Sequence, residues 1–434
     1  MLRPIAILIA IGLLTCRFGQ AAAQSPTVPE RLTIEQAVTI ALANNPAMRE
    51  AREEVAASRA RVAVFKSGYY PQVSFNGIAK LGLSGATNGL GLLGLPASPF
   101  WRNLADAGNI NQNIFDFGRT RHATAVARAE VDAAQRSLDQ VRIEVAEKAK
   151  LAFLKALRAQ RITRVSEQDV RERQAVERRA REFYEVGLSS KLDLDLAEVG
   201  LQNSQLALAQ ARDDEQAAWV ELDTALGEPE GARYNLIEPQ ISLVSSEPLE
   251  REIQQALSTR PDLKALKAEI EAQQERVEYA RSLRHPLLKG VFSGGYARFA
   301  ELTPAELMVG GLGLFAPIYT GGGLIAQAQA EWASLEALQA RYQSARLAAR
   351  NEVSLAHTEL RKALDSAQAD ERIAAYAEEA LRLAQTRYQA QLVSFVDLLT
   401  AETAAESARA NYAQAVYDFQ IARVRLNAAM GSEP

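Results

Sequence analysis

Cysteine is almost missing from this chain: the one residue, Cys16, lies close to the start. Histidine is scarce too, and His122, His285 and His357 are scattered, none with a second ligand at helical spacing. These absences exclude a disulfide frame, a thiol metal site and a helical histidine pair for a metal. The three histidines are expected at the surface or a rim. No Lys-Ser/Thr follows Gly321-Gly322-Gly323, so that glycine run is not a phosphate loop. An excess of one charge is also lacking, with a formal net charge of −4. The Arg-rich stretch from Arg158 to Arg181 is interleaved with Glu167, Asp169, Glu172 and Glu177, which reads as a solvated helix face with internal ion pairs, not a nucleic-acid footprint. No catalytic residue, metal site or cofactor is expected, and neither is an enzyme.

Helix breakers are missing from two very long stretches. Neither Gly nor Pro occurs from Arg119 to Val186 or from Leu324 to Met430. Long apolar runs are missing as well, except for Ile5–Leu14, which follows Arg3 and precedes Ala21-Ala22-Ala23. A charged tip, a short apolar core and a small-residue site describe a secretory signal peptide over residues 1–23. Ten helical residues reach only about 15 Å, half of a bilayer core, so this is not a permanent transmembrane helix. Thr15 precedes Cys16 where a lipoprotein signal has a small residue, which argues against lipidation; cleavage after Ala23 leaves no cysteine in the mature chain.

What is present is present twice. "NNPAMREAREEVAASRARVAVFKSGYYP" (44–71) matches "TRPDLKALKAEIEAQQERVEYARSLRHP" (259–286) at an offset of 215. The offset becomes 204 at Ile114/Ile318 and stays so at Tyr184/Tyr388, Asp193/Asp397, Glu198/Glu402 and Gly227/Gly431. The first copy is therefore 11 residues longer between Pro71 and Ile114, where a variable loop should lie. The organisation expected is repeat 1 over 24–227, a connector over 228–259 and repeat 2 over 260–434. Each repeat runs helix, β-hairpin, long helical hairpin: hairpins at about 71–116 and 286–319, long helices over 119–226 and 323–430. Thr33 and Gln36 have capping-box spacing at the first amphipathic segment.

The hairpins alternate moderately, with Val73, Phe75, Ala79 and Leu81 on one face and Asn109, Asn111 and Asn113 together on one side of the returning strand. Tyr69, Tyr70, Phe115, Phe117 and Tyr319 lie at the ends nearest the helices, Phe100, Trp101, Tyr296 and Phe299 at the far ends. Two aromatic belts separated by short strands suit an outer-membrane-type barrel. In lipid such a barrel must close, and four strands cannot, so symmetric copies must supply the rest; three copies give twelve strands.

The segment 119–186 is about 100 Å long as a helix, and the shorter helices placed end to end roughly match it, which suggests antiparallel pairs with one continuous and one broken member. The break belongs in an equatorial belt with Thr33–Ala43, the 228–258 segment and the C-terminus. Leu138, Val141, Val145, Ala149, Ala152, Ala156 and Ala159, and likewise Ala349, Val353, Ala356, Leu360, Ala363 and Ala367, are spaced three or four apart. That is a coiled-coil seam of small residues, which lets helices approach closely.

"LTIEQAVTIALANNPAMREAREE", "NIFDFGRT", "REFYEVGLSSKLDLDLAE" and "PIYTGGGL" resemble, in order, the recurring segments of the TolC-like outer membrane efflux proteins (outer membrane factors). The resemblance covers essentially the whole mature chain. It implies a mainly α protein with a small membrane β-barrel portion, built as a homotrimer: a twelve-stranded barrel in outer-membrane lipid continued by a twelve-helix periplasmic tunnel. It implies an exit duct of a tripartite system that passes small molecules such as drugs, with a periplasmic adaptor (membrane fusion) protein and an inner-membrane pump as partners. It also implies residence in the outer membrane of a Gram-negative bacterium, with most of the mass in the periplasm.

The resemblance further assigns roles at the turns. Val186, Gly187 and Leu188 match the family's adaptor-docking turn; Gln391 and Leu392 stand in the second copy, where the glycine is lost. Asp193, Tyr388 and Asp397 match positions of the periplasmic tip and gate, whereas Val393 and Thr400 replace an arginine and an acid, so the latch is partial. Ser190/Asp193 and Ser394/Asp397 also have capping-box spacing. Gly118, Gly321 and Gly322 are expected at the joints between strand and helix. The same architecture could serve type I protein secretion. A soluble periplasmic coiled-coil adaptor is the alternative from another class, but it should carry one helical hairpin inside a split β-domain, not two copies of hairpin plus strands.

Overall fold

The computed structural model describes residues 31–83, 100–229, 234–240, 243, 247–298, 305–390 and 392–432. The expected signal peptide with Cys16, most of the glycine-rich loop, Phe299 and Gln391 lie outside the described residues, as do the side chains of Ala79, Leu81, Phe100, Trp101 and Tyr296.

Local signals set the helix boundaries. Thr33 and Gln36 close a reciprocal capping box that starts α1 (Ile34–Asn44), and Asn45 caps α2 (Pro46–Lys66), whose Pro46 gives up an N–H that would have had no helical partner. A short parallel pair, β1 (Arg31–Leu32) and β4 (Asn235–Leu236), buries Leu32 and Leu236 in the same core as α1. The rest of the chain passes through β2 (Gln72–Leu83), β3 (Phe100–Phe115), α3 (Arg119–Glu185) and α4 (Lys191–Leu226). After β4 come α5 (Leu249–Thr259), α6 (Pro261–Ser282), β5 (Leu287–Arg298), β6 (Ala305–Phe315), α7 (Gly323–Gln389) and α8 (Phe395–Ala429). The order helix, strand, strand, long helix, long helix thus occurs twice. The stretch Arg119–Val186 forms α3, a single helix of 67 residues, whereas Leu324–Met430 forms two helices, α7 of 67 residues and then α8.

The four long strands form one antiparallel sheet in the order β2-β3-β5-β6, so the two hairpins join through β3 and β5. Register places Val73, Ile110 and Phe292 in one row and Phe75 and Met308 in the next. Leu312 and Leu314 extend the same face, and all of these side chains are substantially exposed in a single chain. The opposite face carries Asn109, Asn111, Asn113 and Ser293, with the Ser293 hydroxyl donating to Asn109 Oδ1 at 2.8 Å. One face is apolar and the other mixed, with Val291 and Phe315 beside the polar row, and the outer edges of β2 and β6 have no neighbouring strand among the described residues. No helix of the described residues is long and apolar enough to cross a membrane. The surface suited to lipid is on the sheet.

The core follows the small-residue seams. Val145, Ala149, Ala152, Phe153 and Ala156 of α3 pack with Ala37 and Ala41 of α1, Trp219 and Leu222 of α4, and Tyr417 of α8. Val353, Ala356 and Leu360 of α7 pack with Ile253 of α5 and Phe419 and Leu426 of α8. Each methyl group removed from water there contributes roughly 0.8 kcal/mol. Helix α6 lies against both α3 and α7 and so joins the halves. The end of α8 is tied to the α5–α6 junction, where Thr259 Oγ1 donates to Met430 O at 2.7 Å and Arg260 Nη1 to Ala429 O at 2.8 Å.

The histidines correct an expectation. Only His285 is exposed, stacked on Phe117 with centroids 5.1 Å apart. His122 and His357 are half-buried and bridge elements: His122 Nδ1 is 2.6 Å from Glu275 of α6, and His357 Nδ1 is 2.8 Å from the buried Glu252 of α5. They sit on inward faces of α3 and α7, each beside a glutamate of a neighbouring helix.

Candidate functional site at the helical tip

The two long helical hairpins turn at the same end of the molecule. Helix α3 ends in a Schellman turn: Leu188 N–H donates to Phe183 O at 2.8 Å and Gly187 N–H to Tyr184 O at 3.0 Å. Gly187 is left-handed there, with φ +75°, a conformation that strains any residue with a Cβ. Val186 and Leu188 are left exposed beside it. The second turn makes the matching bond, Leu392 N–H to Arg387 O at 2.9 Å, and Leu392 is likewise exposed.

Both tip aspartates are helix caps. Asp193 accepts from Ser190 N–H at 3.1 Å and Ser189 Oγ at 2.8 Å, while its own N–H donates to Ser190 Oγ at 3.2 Å. Burial alone would raise its pKa, but the hydrogen bonds from Ser189 and Ser190 outweigh that and hold it below the usual carboxylate range. Asp397 repeats the geometry with Ser394 at 2.7 and 3.0 Å, and hydrogen bonds from the Ser394 hydroxyl and backbone N–H lower its pKa. Tyr388 is half-buried, its ring 5.8 Å from Phe395 and 6.3 Å from Phe183. Burial raises its pKa and the nearby Asp193 carboxylate adds to the rise. Asp193 and Tyr388 therefore share one neighbourhood, while Asp397 stands apart in its own capping box.

Farther along the same helices lies a charged cluster that the sequence reading missed. Arg173, read as part of a solvated face, is only 5% exposed. It forks onto Glu406 of α8 (Nε–Oε1 2.6 Å, Nη2–Oε2 2.9 Å), reaches Glu402 Oε2 at 2.9 Å and donates to Thr403 at 3.1 Å. Arg409 of α8 holds Glu172 at 2.7 Å and Asp169 at 3.3 Å on α3, and pairs with Glu378 of α7. Burial, reinforced by Glu406 and Glu172 against the opposing pull of Arg173, pushes Glu402 up to about 7. Burial and Glu406 push Asp169 up to about 6 against Arg409. Glu177 is buried too, so the Arg-rich stretch is interior on one side. The signal was spacing: Val170, Arg173, Glu177 and Ala180 continue the three-and-four seam in charged residues.

At the other end, the joints between strand and helix use two successive left-handed residues in both copies. Gly321 and Gly322 have φ +61° and +82°; their counterparts Phe117 and Gly118 have φ +50° and +86°. Phe117 is held in that unfavourable conformation by an edge contact with Phe115 at 4.7 Å and the stack on His285. Asp116 closes the turn, accepting from Gly118 N–H at 3.0 Å and Thr120 N–H at 2.8 Å. Arg119 then donates to the carbonyls of Ser282, Leu283 and His285, locking this joint onto the end of α6.

The outer membrane efflux protein family matches residues 37–228 and 252–432, both halves of the chain. The chain belongs to this family. Among relatives of the efflux protein, Protein CyaE of Bordetella pertussis is 26% identical over 413 residues, covering 92% of this chain and 84% of the relative. The pyoverdine export outer membrane protein OpmQ of Pseudomonas putida is 26% identical over 417 residues, covering 92% and 85%. In fold the efflux protein is similar to the crystal structure of the outer membrane protein VceC from Vibrio cholerae, with a TM-score of 0.77, 18% identity and coverage of 92% and 96%. The efflux protein is an export duct of the Gram-negative outer membrane, and its family and fold are of channel type. Members of the family form trimers and work with inner-membrane pumps and adaptors.

Proposed function

We propose that three copies of this chain close a twelve-stranded barrel and continue it as a twelve-helix tunnel, forming the exit duct of a tripartite pump for small molecules. The observation that carries this reading is the sheet: four strands, one apolar face, one more polar face and, among the described residues, two outer edges without a neighbouring strand. Lipid requires every backbone group to be paired, so edges of this kind must meet other copies. The helices agree with it, because α4 exposes Leu192, Val199 and Leu206, and α7 exposes Leu347, Leu355, Ile373 and Tyr376. Such rows on tunnel helices suit neighbouring subunits. Secretory export through residues 1–23 and the two-repeat organisation belong to the same reading.

At the tip, Val186, Gly187 and Leu188, with Gln391 and Leu392, form the docking turns for a periplasmic adaptor. Asp193, Tyr388 and Asp397 form the constriction, in which three exposed Asp397 carboxylates repel one another and attract cations. Gly118, Gly321 and Gly322 turn strand into tunnel. The test is to fractionate cells expressing the full chain and to insert the purified protein into planar bilayers. The reading expects a heat-modifiable trimer in the outer membrane and a cation-preferring conductance. A monomer in the soluble periplasm would overturn it.

A further inference from the structure

The duplication supplies a ruler for the helix faces that a single chain leaves open. Helices α3 and α7 begin and end at an offset of 204 residues, and α4 and α8 begin at the same offset. Within one chain the two long hairpins meet along α3 and α8. That seam is built of charge. Arg158 bonds Asp418 at 2.7 Å, Arg173 bonds Glu402, Thr403 and Glu406, and Arg409 bonds Asp169 and Glu172. In a ring of such repeats the seam recurs between α7 of one copy and α4 of the next, since α7 stands for α3 and α4 for α8.

Carried across by that offset, the seam changes its chemistry on both sides together. On α7, Asp169 and Glu172 become Ile373 and Tyr376, and Arg173 becomes Ala377. On α4, Thr403 becomes Val199, Glu406 becomes Gln202 and Arg409 becomes Gln205. The guanidiniums of Arg173 and Arg409 are thus replaced along with three of the four acids they bond. The fourth acid, Glu402, becomes Glu198, which bonds Arg181 of its own chain at 2.9 Å. No charge is stranded when such faces meet, which a half-replaced network could not achieve. In a single chain Ile373, Tyr376 and Val199 are 53%, 76% and 57% exposed, and Leu206, two turns along α4 from Val199, is exposed as well. Large apolar side chains left open in rows mark a surface that a partner covers. One charged contact persists sign for sign, because Arg158 and Asp418 become Lys362 and Asp214, both exposed.

We propose that the Ile373–Ala377 face of α7 docks on the Val199–Leu206 face of α4 in a second copy, in the register of the α3–α8 seam, with Lys362 opposite Asp214. This rests on the reading that copies of the chain assemble, and adds which faces meet, in what register and by what chemistry. Each chain carries both halves of the contact, so the contact runs head to tail and can close into a ring. Charged seams within chains then alternate with apolar seams between them, as the charge-poor core of a stable interface requires.

The experiment combines Ile373→Cys with Gln205→Cys in the full chain in the outer membrane and adds a short bifunctional thiol reagent. The equivalent pair within the chain, Asp169 and Arg409, is 3.3 Å apart. Ala380→Cys with Gln205→Cys is the control, displaced two turns, about 10 Å along α7. Covalent dimers and trimers are expected from the first pair and are expected to be lost in the control and in either single variant. In a second arm, Lys362→Glu sets like charges opposite each other and should lower the temperature at which the trimer dissociates, while adding Asp214→Lys should restore it. A trimer that cross-links equally in and out of register, or that gives no cross-link in register, would overturn the seam and leave the assembly reading standing. So would a charge reversal without rescue. Cross-linking to a different protein in place of a second copy would give the face to an adaptor and overturn the proposal. The absence of any trimer would overturn both.

Discussion

Replacing Arg173 with alanine should destabilise the tip far more than replacing the glutamate it pairs with. Arg173→Ala leaves Glu402 and Glu406 in the interior without their guanidinium, and breaking a buried pair from one side costs about 3–5 kcal/mol. Glu402→Gln behaves differently. Glu402 lies near 7 instead of 4.5, so its anion is roughly 3 kcal/mol less favourable in the folded protein than in the unfolded chain. Glutamine removes that burden, and Arg173 keeps its forked pair with Glu406. Glu402→Gln is therefore expected to be neutral or stabilising at pH above that value, and mildly unfavourable in acid. Amide hydrogen exchange along Val170–Ala180, combined with urea unfolding followed by circular dichroism, reads both the local and the global effect. Equal destabilisation by the two variants at all pH values would refute the reasoning, since it would make Glu402 an ordinary ionised partner.

The same groups give a pH dependence. Glu402 and Asp169 both have folded pKa values above their unfolded ones, so the native state holds more protons between the two; the stability they contribute is complete in acid and is lost as pH rises toward about 7 and about 6 respectively. The melting temperature of Glu402→Gln should fall less over that window than the wild type's. Asp116→Ala removes the acceptor for Gly118 and Thr120 at the start of α3 and should cost about 1–2 kcal/mol, seen as faster exchange of the first α3 amides with no change at α7. Asp397→Ala should raise single-channel conductance and weaken block by multivalent cations; an unchanged channel would leave Asp397 a helix cap only.

Most of the architecture was legible because its signals are local and periodic. The first breaker-free stretch matches α3 almost to the residue and the second spans α7 and α8 together, Ser190 and Ser394 with their aspartates marked the starts of α4 and α8, and alternation placed Asn109, Asn111 and Asn113 on one face of β3. What escaped the sequence depends on contacts between distant segments. Arg173 looks like its exposed neighbours until Glu402 and Glu406, more than 220 residues on, are packed against it. Phe117 gives no hint of positive φ, because it is held there by Phe115, His285 and the Asp116 turn. His122 and His357 are likewise assigned by partners on other helices.

The most direct test of the duct is whether the outer edges of β2 and β6 meet between copies. Cysteine pairs can be scanned along Gln72–Phe75 in β2 and Gly310–Phe315 in β6, with Cys16 the only cysteine in the sequence. After oxidation in the outer membrane, the account predicts that pairs in one register give covalent dimers and trimers, while a single cysteine in either strand gives no trimer. The absence of cross-linked species at every register, in protein that is folded and in the membrane, would contradict it.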